Sequence, residues 1–331
     1  MNRSNSVTSG CNMPKSSKPQ HFNLMDLCEA SAQYKVMDKQ QNLPEYNFSD
    51  YLSYAEAIAG MNSLENGVDL DPIDVECRVR MVEWCFQVVD FAKLNRETVS
   101  LAITLLDRFL SSSCCEAKEV LLCRQKYQLA SMAALFLSIK MNEKSVVNAS
   151  VFAELSRGSY AAKDILAMES SILQALKWRV NGPSPHAFLR YLVKLTGKGG
   201  VPSVLSQYNL VDLCIFQLDL AVGDYFFCSE KPSSTAIAAV LNAVGSCDQL
   251  SQIDYDAFVT LLEQATGVDS NSSEIYKNME RLRVLLENNG INLHLRSNST
   301  FSDEQRMSPI CIMSGMKNVI SDASMCPDSA F

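Results

Sequence analysis

KYQLASMAALFLSIKMN, the run from Lys126 to Asn142, decides the fold. At helical spacing it is apolar or small on nearly every face, and Ala130, Ala133 and Ala134 let neighbours approach closely. A helix apolar all round has to be surrounded by other helices. The run just upstream, RETVSLAITLLDRFLS from Arg96 to Ser111, can supply one. It carries Val99, Ile103, Leu106 and Leu110 on one face and Leu101, Leu105 and Phe109 on another. Both helices must be largely buried, which points to an all-α fold.

Working outward, helical spacing recurs at Val75 to Leu94, Ser150 to Leu155, Ala161 to Leu176, Pro185 to Leu195, Val204 to Gly223, Ser233 to Val244, Tyr255 to Thr266 and Ser272 to Asn288. No run has the period-two alternation of a convincing strand. Asn95, Ser184 (before Pro185) and Asp254 read as helix caps. Asn181-Gly182-Pro183 stops one helix and starts an extended connector. The expected organisation is a flexible leader over 1–45 with a short helix near Leu24 to Ala32, and a first helical domain with a preceding helix over 46–180. A second helical domain over 181–290 and a flexible tail over 291–331 complete it. Within the tail, Ser308-Pro309 is a candidate site for a proline-directed kinase, where phosphate would add charge.

Composition excludes several classes. With 47% hydrophobic and 20% charged residues, the chain can offset its ordering entropy, so global disorder is ruled out. A formal charge of -8 opposes non-specific binding to nucleic acid or anionic membrane, which relies on clustered Lys and Arg. There is no apolar run of transmembrane length and no hydrophobic signal segment, so an intracellular, soluble protein is expected. The twelve cysteines contain no C-x-x-C pair. Most, including Cys85, Cys123, Cys214 and Cys228, lie in apolar segments where a free thiol packs as a small hydrophobe. A reducing compartment, no metal and no cofactor follow as expectations. The sequence lacks a glycine-rich phosphate loop and G-x-S-x-G, and His21, His186 and His294 form no nucleophile or metal arrangement, so no catalytic residue is assigned.

Two charges stand in apolar surroundings. Lys140 ends the central helix, and Glu169 interrupts the stripe Ile165, Glu169, Ile172, Leu173, Leu176. A carboxylate taken from water costs several kcal/mol unless paired. Glu169 therefore pairs within the chain, with Lys140 as one partner, or both charges border an exposed patch and bond to another protein. Periodicity leaves both readings open.

Residues 72–180 resemble a cyclin box. CRVRMVEW (Cys77 to Trp84) resembles its opening helix, and LLDRFL (Leu105 to Leu110) its second-helix signature. RQKYQLASMAALFLSIKMNE (Arg124 to Glu143) resembles the buried central helix, and AAKDILAMESSILQALKW (Ala161 to Trp178) the fifth. Residues 185–288 resemble the second, more divergent cyclin fold, notably in CSEKPSSTAIAAVLNAV (Cys228 to Val244). The resemblance implies two tandem cyclin-box domains and a non-catalytic regulatory subunit that binds and activates a cyclin-dependent kinase. It implies kinase contacts at Lys140, Glu143 and Glu169, and a structural salt bridge between Arg78 and Asp107. It also implies a docking patch for R-x-L motifs at Cys77, Arg80, Met81, Trp84, Arg124 and Gln128. Arg80 departs from the family's aliphatic residue there, reducing the apolar area and opposing the motif's own Arg. A leader without R-x-x-L-x-x-x-x-N or K-E-N favours a D-type-like or divergent cell-cycle cyclin of nucleus and cytoplasm. A transcription-associated cyclin, or a DNA-bound factor of the TFIIB kind, are the rivals; the latter predicts a zinc ribbon and basic faces that the sequence lacks.

Overall fold

A computed structural model of the chain describes residues 24–66, 70–144, 147–197, 203–291 and 293. Ser308 and nearly all of the expected tail lie outside the described residues, as does most of the leader. Helices account for the regular structure: α1 Leu24–Gln41, α2 Tyr51–Asn66, α3 Val75–Phe91, α4 Glu97–Leu110, α5 Cys115–Leu121, α6 Arg124–Asn142 and α7 Ala149–Leu155 come first. They are followed by α8 Ala162–Ala175, α9 Pro185–Leu195, α10 Val204–Gln207, α11 Val211–Gly223, α12 Pro232–Gly245, α13 Gln252–Thr266 and α14 Ser273–Asn288. Among the described residues the only β pairing is a single bridge between Asp71 and Cys123.

Two hydrophobic cores form. In the first, α6 is the hub, with Tyr127, Ala130, Ala133 and Leu135 sealed from solvent and α4 and α8 packed against it. In the second, α12 takes the same central place: Ala236, Ala239 and Ala243 bring α9, α11 and α14 close. A small residue at a helix contact shortens the interaxial distance, so an Ala-rich helix can touch several neighbours at once. Pro232 suits the first turn of α12, where no backbone donor is needed. The chain is thus all-α with two tandem helical units.

Local signals account for most boundaries, and for the departures. Ser184 caps α9 by accepting from Ala187 N–H at 3.0 Å. Asn95 Oδ1 accepts from Glu97 N–H at 3.0 Å, one position ahead of the assigned cap of α4. The cap of α13 is Ser251, not Asp254: Ser251 Oγ accepts from Asp254 N–H at 3.2 Å, which puts Asp254 inside the first turn. The single helix expected over Val204 to Gly223 is broken, because Asn209 adopts a left-handed φ of 54° between α10 and α11.

The helix expected near Leu24 to Ala32 runs on to Gln41 and belongs to the second core. Ala30 and Tyr34 bury one side of it, and Tyr34 meets Phe188 edge-to-face at 5.2 Å. At its end Gln41 donates to Ser233 Oγ at 2.7 Å and accepts from Ser233 N–H at 3.1 Å. The contact stripe is sparse and partly polar, which is why hydropathy understated the helix. Gln41→Ala strands the buried Ser233 groups and is expected to lower stability by about 1–3 kcal/mol. Thermal melting would test this, and an unchanged melting temperature would mean that the bond to α12 contributes nothing.

Candidate functional site

Lys140 closes α6 and Glu169 sits mid-way along α8, and the packing of these two helices brings the charges together. Lys140 Nζ donates to Glu169 Oε1 at 2.6 Å. The exposures are unequal: the Glu169 side chain is 8% exposed and that of Lys140 43%. The carboxylate is thus a buried anchor, and the ammonium keeps donors facing solvent. Lys140 also lies 4.9 Å from the Phe136 ring centroid, a cation–π contact one turn back on α6. A cation in the last turn of a helix is further favoured by the helix dipole. The ammonium is fixed in place on an accessible edge.

Glu143 has a different position from its two companions. Its Oε1 accepts from Thr98 Oγ1 at 2.6 Å and from Asn95 N–H at 2.9 Å. These bonds commit it to the start of α4 and fasten α6 to that helix. Arg78 and Asp107 form a buried two-point pair, Nε–Oδ1 at 3.3 Å and Nη2–Oδ2 at 2.8 Å.

The six docking-patch positions do not share one surface. Cys77 and Met81 are 2% and 1% exposed and face the first core, closed to any ligand. Burial pushes the Cys77 thiol up to about 11, so it is protonated at neutral pH. Trp84 is half-buried, its ring 6.5 Å from that of Phe152. Arg80 Nη2 bonds to Glu76 Oε1 at 2.6 Å. Arg124 lies between Asp71 (2.8 Å) and Asp74 (3.2 Å), and Gln128 Oε1 accepts from Tyr160 Oη at 2.9 Å. Burial raises the Glu83 carboxyl, with Arg80 pulling the other way. What remains open is Arg80, Trp84, Arg124 and Gln128, with Asp71, Asp74, Glu76 and Glu83 around them.

Sequence reasoning missed one constellation. His186 Nε2 lies 3.1 Å from Asp219 Oδ1, and Asp219 Oδ2 accepts from Arg96 Nε at 2.8 Å. The available signal was Asp219 itself, a carboxylate inside the apolar run VDLCIFQLDLAVG, the same anomaly that marked Glu169. Ser138 is sealed from solvent and donates to the Thr98 carbonyl at 2.8 Å. Among the described residues no group of three or more His, Cys, Asp or Glu could hold a metal ion, and no helix is long and apolar enough to cross a membrane.

A family model described as "Cyclin, N-terminal domain" matches residues 50–181, the span that holds Lys140, Glu169, Arg78 and Asp107. G2/mitotic-specific cyclin-1 of Medicago sativa subsp. varia is 29% identical over 196 residues, covering 59% of this chain and 42% of that protein. Cyclin-A2-2 of Arabidopsis thaliana is 30% identical over 178 residues, covering 54% and 38%. The chain spans less than two thirds of the length of these relatives. The names of these two relatives are mitotic and A-type. Among solved structures, a viral cyclin from herpesvirus saimiri superposes with a TM-score of 0.52 at 15% identity, covering 70% of this chain and 95% of that one. At that identity the likeness is one of fold.

Proposed function

We propose that the chain, whose residues 50–181 match the cyclin N-terminal domain, is a non-catalytic cyclin-family regulatory subunit that binds and activates a cyclin-dependent serine/threonine kinase in cell-cycle progression. The observation that carries this reading is the Lys140–Glu169 pair, a buried acid holding an accessible ammonium at the end of an otherwise apolar helix. A donor fixed before binding loses little entropy when a partner docks, so its bond adds to affinity almost in full. Activation then follows from differential binding: moving a kinase from 1:99 to 99:1 in favour of its active form takes about 5.5 kcal/mol of preference for that form. The protein supplies that preference and no reacting group. Such a subunit works where its kinase and substrates are, in nucleus and cytoplasm. The test is co-purification with a cyclin-dependent kinase and phosphorylation of a histone-type substrate. The expected result is activity dependent on this chain, and a wild-type chain that bound no such kinase would remove the proposal.

The open part of the docking patch supports a finer reading, recruitment of substrates or inhibitors bearing R-x-L motifs. Four carboxylates, beside Arg80 and Arg124, suit the basic end of such a motif, while Arg80 opposes it. Arg80→Ile removes that repulsion and adds apolar area. It is expected to tighten binding of an R-x-L peptide about tenfold, roughly the effect of burying an aliphatic side chain. Calorimetric titration would measure it, and unchanged or weaker binding would argue that the peptide does not lie over α3.

A further inference from the structure

At about 100° per residue, three successive side chains leave a helix in three directions. The start of α4 uses all three. Arg96 reaches Asp90 on α3 (Nη1–Oδ2 2.7 Å) and Asp219 on α11 (Nε–Oδ2 2.8 Å). Glu97 accepts from the Ser184 hydroxyl at 2.8 Å and pairs with Arg190, at the beginning and middle of α9. Thr98 turns to α6, its hydroxyl donating to Glu143 and its carbonyl accepting from Ser138. Ser138 and Glu143 lie on either side of Lys140 in the chain, so the end of α6 is held from both sides by one turn of α4.

We propose that the first turn of α4 is a junction through which the second helical unit sets the position of Lys140, with Arg96, Asp219, His186 and Glu143 as positioning residues. The inference rests on the reading of Lys140 as the kinase contact. Asp219 is 4% exposed and Arg96 16%, and charges so buried cannot part without stranding one another. His186 on α9 holds the other oxygen of Asp219, so α9, α11 and α4 share a single carboxylate. Displacement of α9 and α11 relative to the first core therefore draws Arg96 along or breaks a buried pair. Thr98 and Asn95 pass the displacement to Glu143, whose amide bonds to the Ile139 carbonyl at 2.9 Å in the turn that carries Lys140. Coupling of this kind needs an element whose position both ends bias, and the turn 95–98 is that element.

Amide hydrogen exchange on the full chain without kinase tests the junction, and its outcome does not depend on whether a kinase binds. Asp219→Asn, a change on α11, is expected to raise exchange about tenfold at Met141 on α6 and at Glu143, the residue that caps it, while the amides of α12 keep their protection. Glu143→Gln produces the same rise, and the double variant adds nothing further because both act along one path. Ser184→Ala, a milder change that spares the buried charges, gives a smaller rise at the same amides. Ser234→Ala removes a bond to Glu274 away from the junction and leaves α6 unchanged. Exchange that rises only in α9 and α11, or throughout the chain with α12 included, overturns the junction. A wild-type chain that binds no kinase would instead overturn the reading of Lys140 and leave the exchange result standing.

Discussion

Asp107→Ala is expected to lower the unfolding free energy by about 3–5 kcal/mol, because it leaves the buried Arg78 guanidinium without a counter-charge. Total stabilities are typically about 5–15 kcal/mol, so one side chain decides whether the first core persists. Asp107 accepts from Arg78 twice and from Tyr51 Oη at 2.7 Å, while Arg78 Nη1 donates to the Val222 carbonyl at 2.7 Å. Burial, reinforced by the Asp107 charge, raises the Tyr51 hydroxyl well above its ordinary range, so it stays a donor at neutral pH. The cluster ties α2, α3 and α4 to the end of α11. Replacing both charges at once, as Arg78→Met with Asp107→Leu, removes the desolvation burden and is expected to cost less than the sum of the single changes. It does not return to wild type, since Tyr51 Oη and the Val222 carbonyl each lose a partner at about 1–3 kcal/mol. Urea unfolding with a common slope measures the cycle. Strictly additive single and double losses would mean that the two side chains act independently.

The fold was legible wherever a helix had to be apolar on more than one face. The centrality of α6 follows from its small and apolar residues alone, and the family segments place α3, α4 and α8 around α6; α12 was read as a helix, without its central place. What was missed or drawn too short were helices that contribute little apolar area. α5 is seven residues long, and α1 buries a stripe as polar as Gln41. The site was legible by a different signal, charge where periodicity demands an apolar residue. That signal found Glu169 and could have found Asp219. It could not say that the partner of Glu169 is Lys140, or that Glu143 turns inward to Thr98, because either choice leaves the same residues at the same helical positions. Nor could it reveal that Cys77 and Met81 are closed off, since a buried helix face and a docking helix face share one apolar spacing.

Lys140→Ala and Glu169→Ala are both expected to weaken kinase binding by about 2–5 kcal/mol, roughly thirtyfold or more, with a matching fall in activated phosphorylation. Their effects on the isolated chain differ, and the difference separates binding from folding. Removing the lysine strands a carboxylate that is 8% exposed, at a cost of about 1–3 kcal/mol to stability. Removing the glutamate leaves an ammonium already 43% exposed, which water can solvate, so the chain loses at most about 1 kcal/mol. Glu169→Ala is therefore the sharper variant: nearly native stability, yet an ammonium no longer held over the edge of α6. Glu169→Gln keeps an acceptor for Lys140 without the charge and should fall between wild type and Glu169→Ala. As a control, Lys126→Ala breaks a fully surface pair with Glu119 at 2.5 Å and should change neither stability nor binding measurably. Titration of each variant against a cyclin-dependent kinase, beside a melting curve of the free chain, gives the two quantities separately. Wild-type affinity and activation in both Lys140→Ala and Glu169→Ala would move the kinase contact away from this edge, however well the pair is formed.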